Sequence, residues 1–247
     1  STLNRPNTNV KNIILFKVIM NTILMIPTAE GVGLTSACLG MVYALDCNGI
    51  KAGFLKPFSQ ENQNQFDRTT SLFQHLFQRD TVQSISHEKL LQYISAGEMD
   101  DLLEEAVSLH RTIAAQQDVI IVEGLLPNGQ DHFASELNAA LAQALDAKVI
   151  LVSTADIQNP RKTAERIESH LRQFGGVNSN RTAGVLFMRT RGLPEESAQI
   201  PLTIDPSLRL NDEIEKFSLE LQKYNRHLGT KELPIIGMVP FSNTLSV

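Results

Sequence analysis

The sequence predicts an α/β protein built on a doubly wound, mostly parallel sheet. Three observations carry that prediction. The apolar run Ile23-Leu24-Met25-Ile26 breaks at Pro27 and passes through Gly31 and Gly33 into an amphipathic segment, which reads as strand, glycine loop and helix. Asp118 to Gly124, DVIIVEG, holds four successive apolar residues, as a strand buried on both faces requires. Short apolar runs then alternate with helical-period segments along the chain, the pattern of crossover connections in a parallel sheet.

Taken in order, residues 1–19 divide into a polar start, STLNRPNTNVKN, and a short apolar piece, IILFKVI. They lack the small-residue cleavage signature of a signal peptide. We read them as an extension or an added segment ahead of Met20, which sits directly before the first core strand and is the expected functional start. An edge strand at Ile13 to Ile19 is the alternative.

From Thr35 to Asn48, Leu39, Val42 and Leu45 recur at helical spacing and Asn48-Gly49 supplies the stop. A second strand, Ile50 to Lys56, ends at Pro57 and places Lys56 at the carboxyl edge, where open parallel sheets bind ligands. Lys56 is either a solvated strand-end lysine or a cation for that edge. After the polar loop ENQNQ, Asp67 is placed to cap a helix whose apolar set is Leu72, Phe73, Leu76 and Phe77. Two helices follow, His87 to Ile94 and Met99 to Gln117, before the strand in DVIIVEG. A further helix carries Phe133, Leu137, Leu141 and Leu145, and Lys148 to Ser153 is a strand. Asn159-Pro160 opens a polar helix running to about Phe174, Gly175-Gly176 turn the chain, and Thr182 to Met188 is again a strand. Gly192 to Ser207, with Pro194, Pro201 and Pro206, reads as an irregular insertion. A helix from about Asn211 to Leu228 and a strand from Ile235 to Val239 close the pattern. The residues after Pro240 read as a cut leading elsewhere, so 20–247 is expected to be a single α/β domain.

The glycine loop is the first candidate site. A strand, a small-residue turn and a helix N-terminus aim backbone N–H groups and the positive end of a dipole at one spot, a natural seat for phosphate. The standard phosphate loop adds a lysine for the β/γ-phosphates and a hydroxyl for Mg²⁺. Here Gly33 and Thr35 keep the glycine and the hydroxyl, while Leu34 stands where the lysine belongs. A charge-assisted hydrogen bond is worth roughly 1.5–3 kcal/mol, so its loss weakens a triphosphate by about one to two orders of magnitude. Glu123 is the second candidate, because an acid ending an apolar strand is costly to bury without a role. Asp67 and Glu123, with Thr35, are the candidate Mg²⁺ ligands.

Composition bounds the partners. Hydrophobic residues at 42% and charged residues at 20% are globular values, and a formal charge of −5 argues against a nucleic-acid partner. No apolar run approaches the roughly 20 residues of a membrane span. Cys38 and Cys47 fall in one expected helix, about 13–14 Å apart along its axis, too far to bridge. A reduced, cytoplasmic protein is the expectation. The six histidines lack ligand spacing and read as structural or solvated.

Together, IPTAEGVGLTSACLGMVYAL, LKPFSQ, DRTTSLF, VIIVEGLLP, HFASELNAALAQALDAKVILV and LPIIGMVPFS closely resemble the amino-terminal domain of the long bacterial phosphate acetyltransferases, from about Asn21 to Ser242. That domain is similar to dethiobiotin synthetase and related P-loop enzymes, which implies a P-loop NTPase-like, three-layer fold. The resemblance implies a nucleotide, ATP or NADH, at Glu30, Gly31, Val32, Gly33, Leu34, Thr35 and Ser36, with Thr28 at the head of the loop. It implies a phosphate- or substrate-contacting role for Lys56 and an Mg²⁺ ion at Asp67 and Glu123. No catalytic residue is expected, since acetyl transfer between CoA and phosphate belongs to a separate carboxyl-terminal domain of that family. The implied role is regulation and oligomer assembly, with the downstream catalytic domain, an anionic metabolite or nucleotide, and further copies of the chain as partners. The alternative is a free-standing ATP-dependent ligase of the dethiobiotin synthetase type.

Overall fold

The computed structural model describes residues 22–60, 67–127, 133–156, 159–190, 215–223 and 233–240. The expected extension with Met20, the ENQNQ loop, the proline-bearing insertion and the segment after Pro240 lie outside those residues. Strands β1 (Thr22–Pro27), β2 (Ala52–Leu55), β3 (Val119–Glu123), β4 (Lys148–Ser153), β5 (Thr182–Thr190) and β6 (Ile235–Pro240) form a six-stranded sheet in the order β2-β3-β1-β4-β5-β6. It is parallel throughout its registered pairs. Between the strands run α1 (Leu34–Cys47), α2 (Arg68–Phe77), α3 (His87–Ala96), α4 (Met99–Ala114), α5 (Ala134–Ala144) and α6 (Pro160–Leu171), and residues 215–223 form a helix before β6. The doubly wound parallel sheet that the alternation predicts is the fold.

Element ends shift for local reasons. α1 starts at Leu34, one residue ahead of expectation. β2 begins only at Ala52 because Ile50 N–H closes back on Leu45 O and Lys51 N–H donates to Asp118 Oδ2. α3 runs on to Ala96, where Gly97, with φ +74°, accepts the left-handed turn that ends it. Beyond α6, the expected helix to Phe174 tightens into a 3₁₀ turn over Arg172–Phe174 before Gly175.

The chain divides into two compact units. One contains β1 through Met25, Cys38–Leu125 and Ala140–Lys148. Its strands read as near-continuous apolar runs and are buried at every position of β2 and β3. Each such aliphatic side chain contributes about 1.5–3 kcal/mol by leaving water. α4 packs over β2 at a close approach: a Cβ on Gly53 would lie 2.9 Å from Ile113 Cγ2 and from Ile120 Cδ1. α2 is held on β2 by a ladder of rings, Phe54 on Phe73 at 5.3 Å and Phe73 on Phe77 at 5.0 Å. That ladder fixes where the first residue of α2 must sit. His110 is structural here, its Nε2 lying 2.9 Å from Thr22 Oγ1.

The other unit contains Ile26–Ala37, Leu126–Ala139 and the chain from Val149 onward. β5 pairs with β4 and β6 through register shifts, one between Val149 and Ile150 and another between Val185 and Leu186. Phe187 meets Phe217 edge-on at 5.4 Å, seating the 215–223 helix on β5. Cys38 and Cys47 are free thiols, the first buried and the second exposed. Among the described residues no helix is long and apolar enough to cross a membrane.

Candidate functional site

In the first unit, three sequence candidates meet. Lys56 leaves the carboxyl end of β2, and the chain beyond it is pinned: Phe58 bridges Ile85, Ser59 N–H donates to Ile85 O, and Ile85 N–H donates to Pro57 O. Glu123 ends β3. Asp67 caps α2, its side chain accepting from Thr69 N–H at 2.9 Å and Thr70 N–H at 3.4 Å. With α2 anchored by Phe73, that cap lies beside Lys56. Lys56 Nζ is 2.6 Å from Asp67 Oδ2 and 3.3 Å from Glu123 Oε1, so one ammonium spans two carboxylates.

Two hydroxyls complete the shell. Ser59 Oγ donates to Asp67 Oδ2 at 3.3 Å, and Thr69 Oγ1 donates to Glu123 Oε1 at 3.4 Å. Asp67 and Glu123 are buried, at 4% and 5% exposure. Among the described residues, Glu123 Oε2 and Thr70 Oγ1 are buried without a hydrogen-bond partner. The sequence flagged Lys56, Asp67 and Glu123 but passed over Ser59, Thr69 and Thr70. The only available signal was a hydroxyl three residues past Lys56 and a Thr-Thr pair starting two residues after the cap.

Burial dominates the electrostatics. It pulls the Lys56 ammonium down, but Glu123 and then Asp67 outweigh it, so the group sits above its ordinary 10.5 and stays charged. Burial pushes the Glu123 carboxyl above its ordinary 4.5, Lys56 opposing and Asp67 adding. Cys38 lies close enough to feel both, and burial first and Glu123 second push its thiol well above 9.0. Such a thiol is inert packing, not a nucleophile.

The raised Glu123 pKa sets a testable sign. The folded state binds this proton more tightly than the unfolded state, so its linkage slope is negative. Stability is gained as pH falls through the raised folded value toward 4.5 and is lost as pH rises back through it. Glu123→Gln removes both the proton and the excess buried negative charge. We expect its melting temperature to equal or exceed that of the wild type at neutral pH, with the slope flattened between 4.5 and the raised folded value. Thermal melts of both proteins across that window check it; an unchanged slope contradicts it.

In the second unit, the loop after β1 has the conformation its glycines allow. Thr28 N–H donates to Val152 O and Thr28 Oγ1 donates to Ser153 Oγ, both at 2.9 Å, so the head of the loop is tied to β4. Gly31 and Gly33 take φ +67° and +87°, values that cost other residues roughly 1–2 kcal/mol. Glu30, Gly31 and Ser36 are exposed, Gly33, Leu34 and Thr35 are half-buried, and Val32 is buried. Ala37 N–H donates to Gly33 O, starting α1. Backbone and helix terminus thus suit an anion, and Leu34 at the first helical position brings no cation to it.

The implied Mg²⁺ fares differently. Magnesium demands near-octahedral oxygens at about 2.0–2.1 Å. Asp67 Oδ1 is taken by two backbone N–H groups, Asp67 Oδ2 by Lys56 and Ser59, and Glu123 Oε1 by Lys56 and Thr69. Glu123 Oε2 alone is uncommitted among the described residues. The donor set as arranged around Lys56 does not fit a divalent ion. Among the described residues, no group of three or more His, Cys, Asp or Glu side chains is arranged to hold a metal.

The family model AAA_26, described as an AAA domain, matches residues 21–246. A phosphate acetyltransferase of Acinetobacter baylyi is 82% identical over 92% of this chain and 32% of its own length. One from Pseudomonas aeruginosa is 31% identical over 92% of this chain and 31% of its own. The chain therefore spans about a third of the relatives it matches. Among solved structures, the signal recognition particle 54 kDa protein of Aeropyrum pernix in complex with GDP aligns over 96% of this chain and 43% of that one at 12% identity and a TM-score of 0.48.

Proposed function

The chain belongs to the AAA_26 family of AAA domains, and we propose that it is the regulatory and assembly domain of a cytoplasmic phosphate acetyltransferase, binding an anionic effector without performing the acetyl transfer. The reading rests chiefly on one observation: 92% of the chain matches a phosphate acetyltransferase at 82% identity while covering only 32% of it. In this reading the remaining length of such a protein carries the acetyl transfer. The glycine loop after β1 is the effector seat. Gly31, Gly33 and the N-terminus of α1 supply backbone donors, and the ligand class is a nucleotide, a dinucleotide or a small carboxylate. With Leu34 at the helix start, the loop retains an anion-binding backbone but lacks the cation that stabilises a transferring phosphoryl group. Self-association of the chain and contact with the catalytic part complete the role.

Deleting residues 20–247 from the parent protein tests the regulatory role. We expect acetyl transfer by the remaining chain to persist while its response to nucleotide and carboxylate is lost. Loss of acetyl transfer itself in a folded remainder, or an intact response, contradicts the proposal. A second reading, an ATP-dependent ligase, is favoured by the convergence of Lys56 and Glu123 at strand ends with Asp67 at the start of α2. It requires ADP release that Glu123→Gln abolishes.

A further inference from the structure

We infer that Lys56 is the resident cation of the Asp67–Glu123 site, occupying the charge-compensating role for which a divalent metal would otherwise be needed, so that this chain binds no Mg²⁺ there. The inference stands whether or not the chain regulates an acetyltransferase, because it concerns the first unit's own side chains.

Two buried carboxylates on neighbouring elements repel each other and need a counter-charge. A divalent ion is one solution, and an ammonium on a flexible stem is another. Here the stem is short-circuited into the site by the fold. β2 ends at Leu55, Lys56 is the next residue, and the Pro57–Ser59 segment is held by its exchange of hydrogen bonds with Ile85. The ammonium reaches Asp67 at 2.6 Å and Glu123 at 3.3 Å, and its side chain is only 12% exposed.

A metal taking both carboxylates would have to displace Nζ from each of them. It would also share its ligands with Ser59, Thr69 and the backbone N–H groups of the α2 cap. An ammonium left within a few ångströms of a doubly charged ion meets direct Coulomb repulsion, which a largely buried site screens weakly. Expelling Lys56 to solvent would unpack a side chain whose neighbours are fixed. The resident ammonium therefore excludes the metal both by charge and by occupying the oxygen atoms.

The experiment uses Mn²⁺ and Mg²⁺ alone as probes of the purified chain. Electron paramagnetic resonance of Mn²⁺ is expected to show no stoichiometric uptake by the wild type, and Mg²⁺ is expected to leave its melting temperature unchanged. Lys56→Met frees both carboxylates; it should gain one equivalent of bound Mn²⁺ and be stabilised by Mg²⁺, with both gains lost in Lys56→Met/Glu123→Gln. A second measurement covers the case in which Lys56→Met does not fold. In nitrogen-15 lysine spectra of the wild type, the Lys56 ammonium signal should persist unshifted through millimolar Mg²⁺. Stoichiometric Mn²⁺ uptake by the wild type that disappears in Asp67→Asn overturns the inference. So does a Lys56 signal displaced by Mg²⁺, or a folded Lys56→Met that takes up no metal.

Discussion

Replacing Lys56 by methionine is expected to cost about 3–5 kcal/mol of folding stability, the loss seen when one partner of a buried ion pair is removed. Methionine preserves most of the stem's volume, so the loss reports charge and not a cavity. Asp67 and Glu123 are both buried and would face each other without a cation. Glu123 already holds its proton more tightly than usual because it is buried, and in the variant it would take one up sooner. The penalty should therefore shrink as pH falls, and Lys56→Met/Glu123→Gln should recover most of it at neutral pH. Urea denaturation of the four proteins of the double-mutant cycle measures the coupling directly. A loss below about 1 kcal/mol, the range of exposed ion pairs, would mean that the three groups are solvated.

Gly184→Ala is the second large effect. Gly184 sits in β5 at φ +154°, and a Cβ there would lie 2.4 Å from Pro234 O and 2.9 Å from Ile236 Cγ1. The obstructing atom is backbone, and it accepts the Val185 N–H at 2.9 Å. The alanine must therefore part β5 from the start of β6. Overpacking commonly costs 1–3 kcal/mol, and we expect about 3 kcal/mol here because the Pro234 carbonyl cannot swing aside as a side chain can. Hydrogen exchange should accelerate at Val185 as the global stability falls. Gly237→Ala is the control: its Cβ would meet only the mobile end of Leu186 at 3.3 Å. Equal losses in the two variants would contradict a backbone clash.

These two positions show what the sequence could and could not reveal. The buried strands were legible because a parallel strand covered on both faces must be apolar throughout, and VIIV in β3 is a short run of that kind bounded by Asp118 and Gly124. Lys56, Asp67 and Glu123 were legible one at a time, as residues at strand ends or a helix start. Their union was not, because pairing across such sequence separations is set by how α2 lies on β2, which depends on the Phe54, Phe73 and Phe77 rings. Asp67 does cap its helix, and the same carboxylate also holds Lys56. Gly184 carried no legible signal: a glycine in a strand can mark a bulge or a close backbone approach, and only the register shift beside it and the nearness of Pro234 O show both. The glycine loop after β1 was legible from Gly31 and Gly33, while their positive φ values were not. Leu34, expected just ahead of the helix, is its first residue.

One titration tests whether the glycine loop binds an anionic effector without turning it over. The purified chain is titrated calorimetrically with ATP, a nicotinamide dinucleotide and a small carboxylate, and each mixture is analysed for ADP and acetyl phosphate. Gly33→Asp, which sets a carboxylate into the loop at a strained φ of +87°, serves as the comparison. We expect saturable binding of at least one ligand, its loss in Gly33→Asp, and neither product. Binding to none of them, or ADP release that disappears in Glu123→Gln, would contradict it.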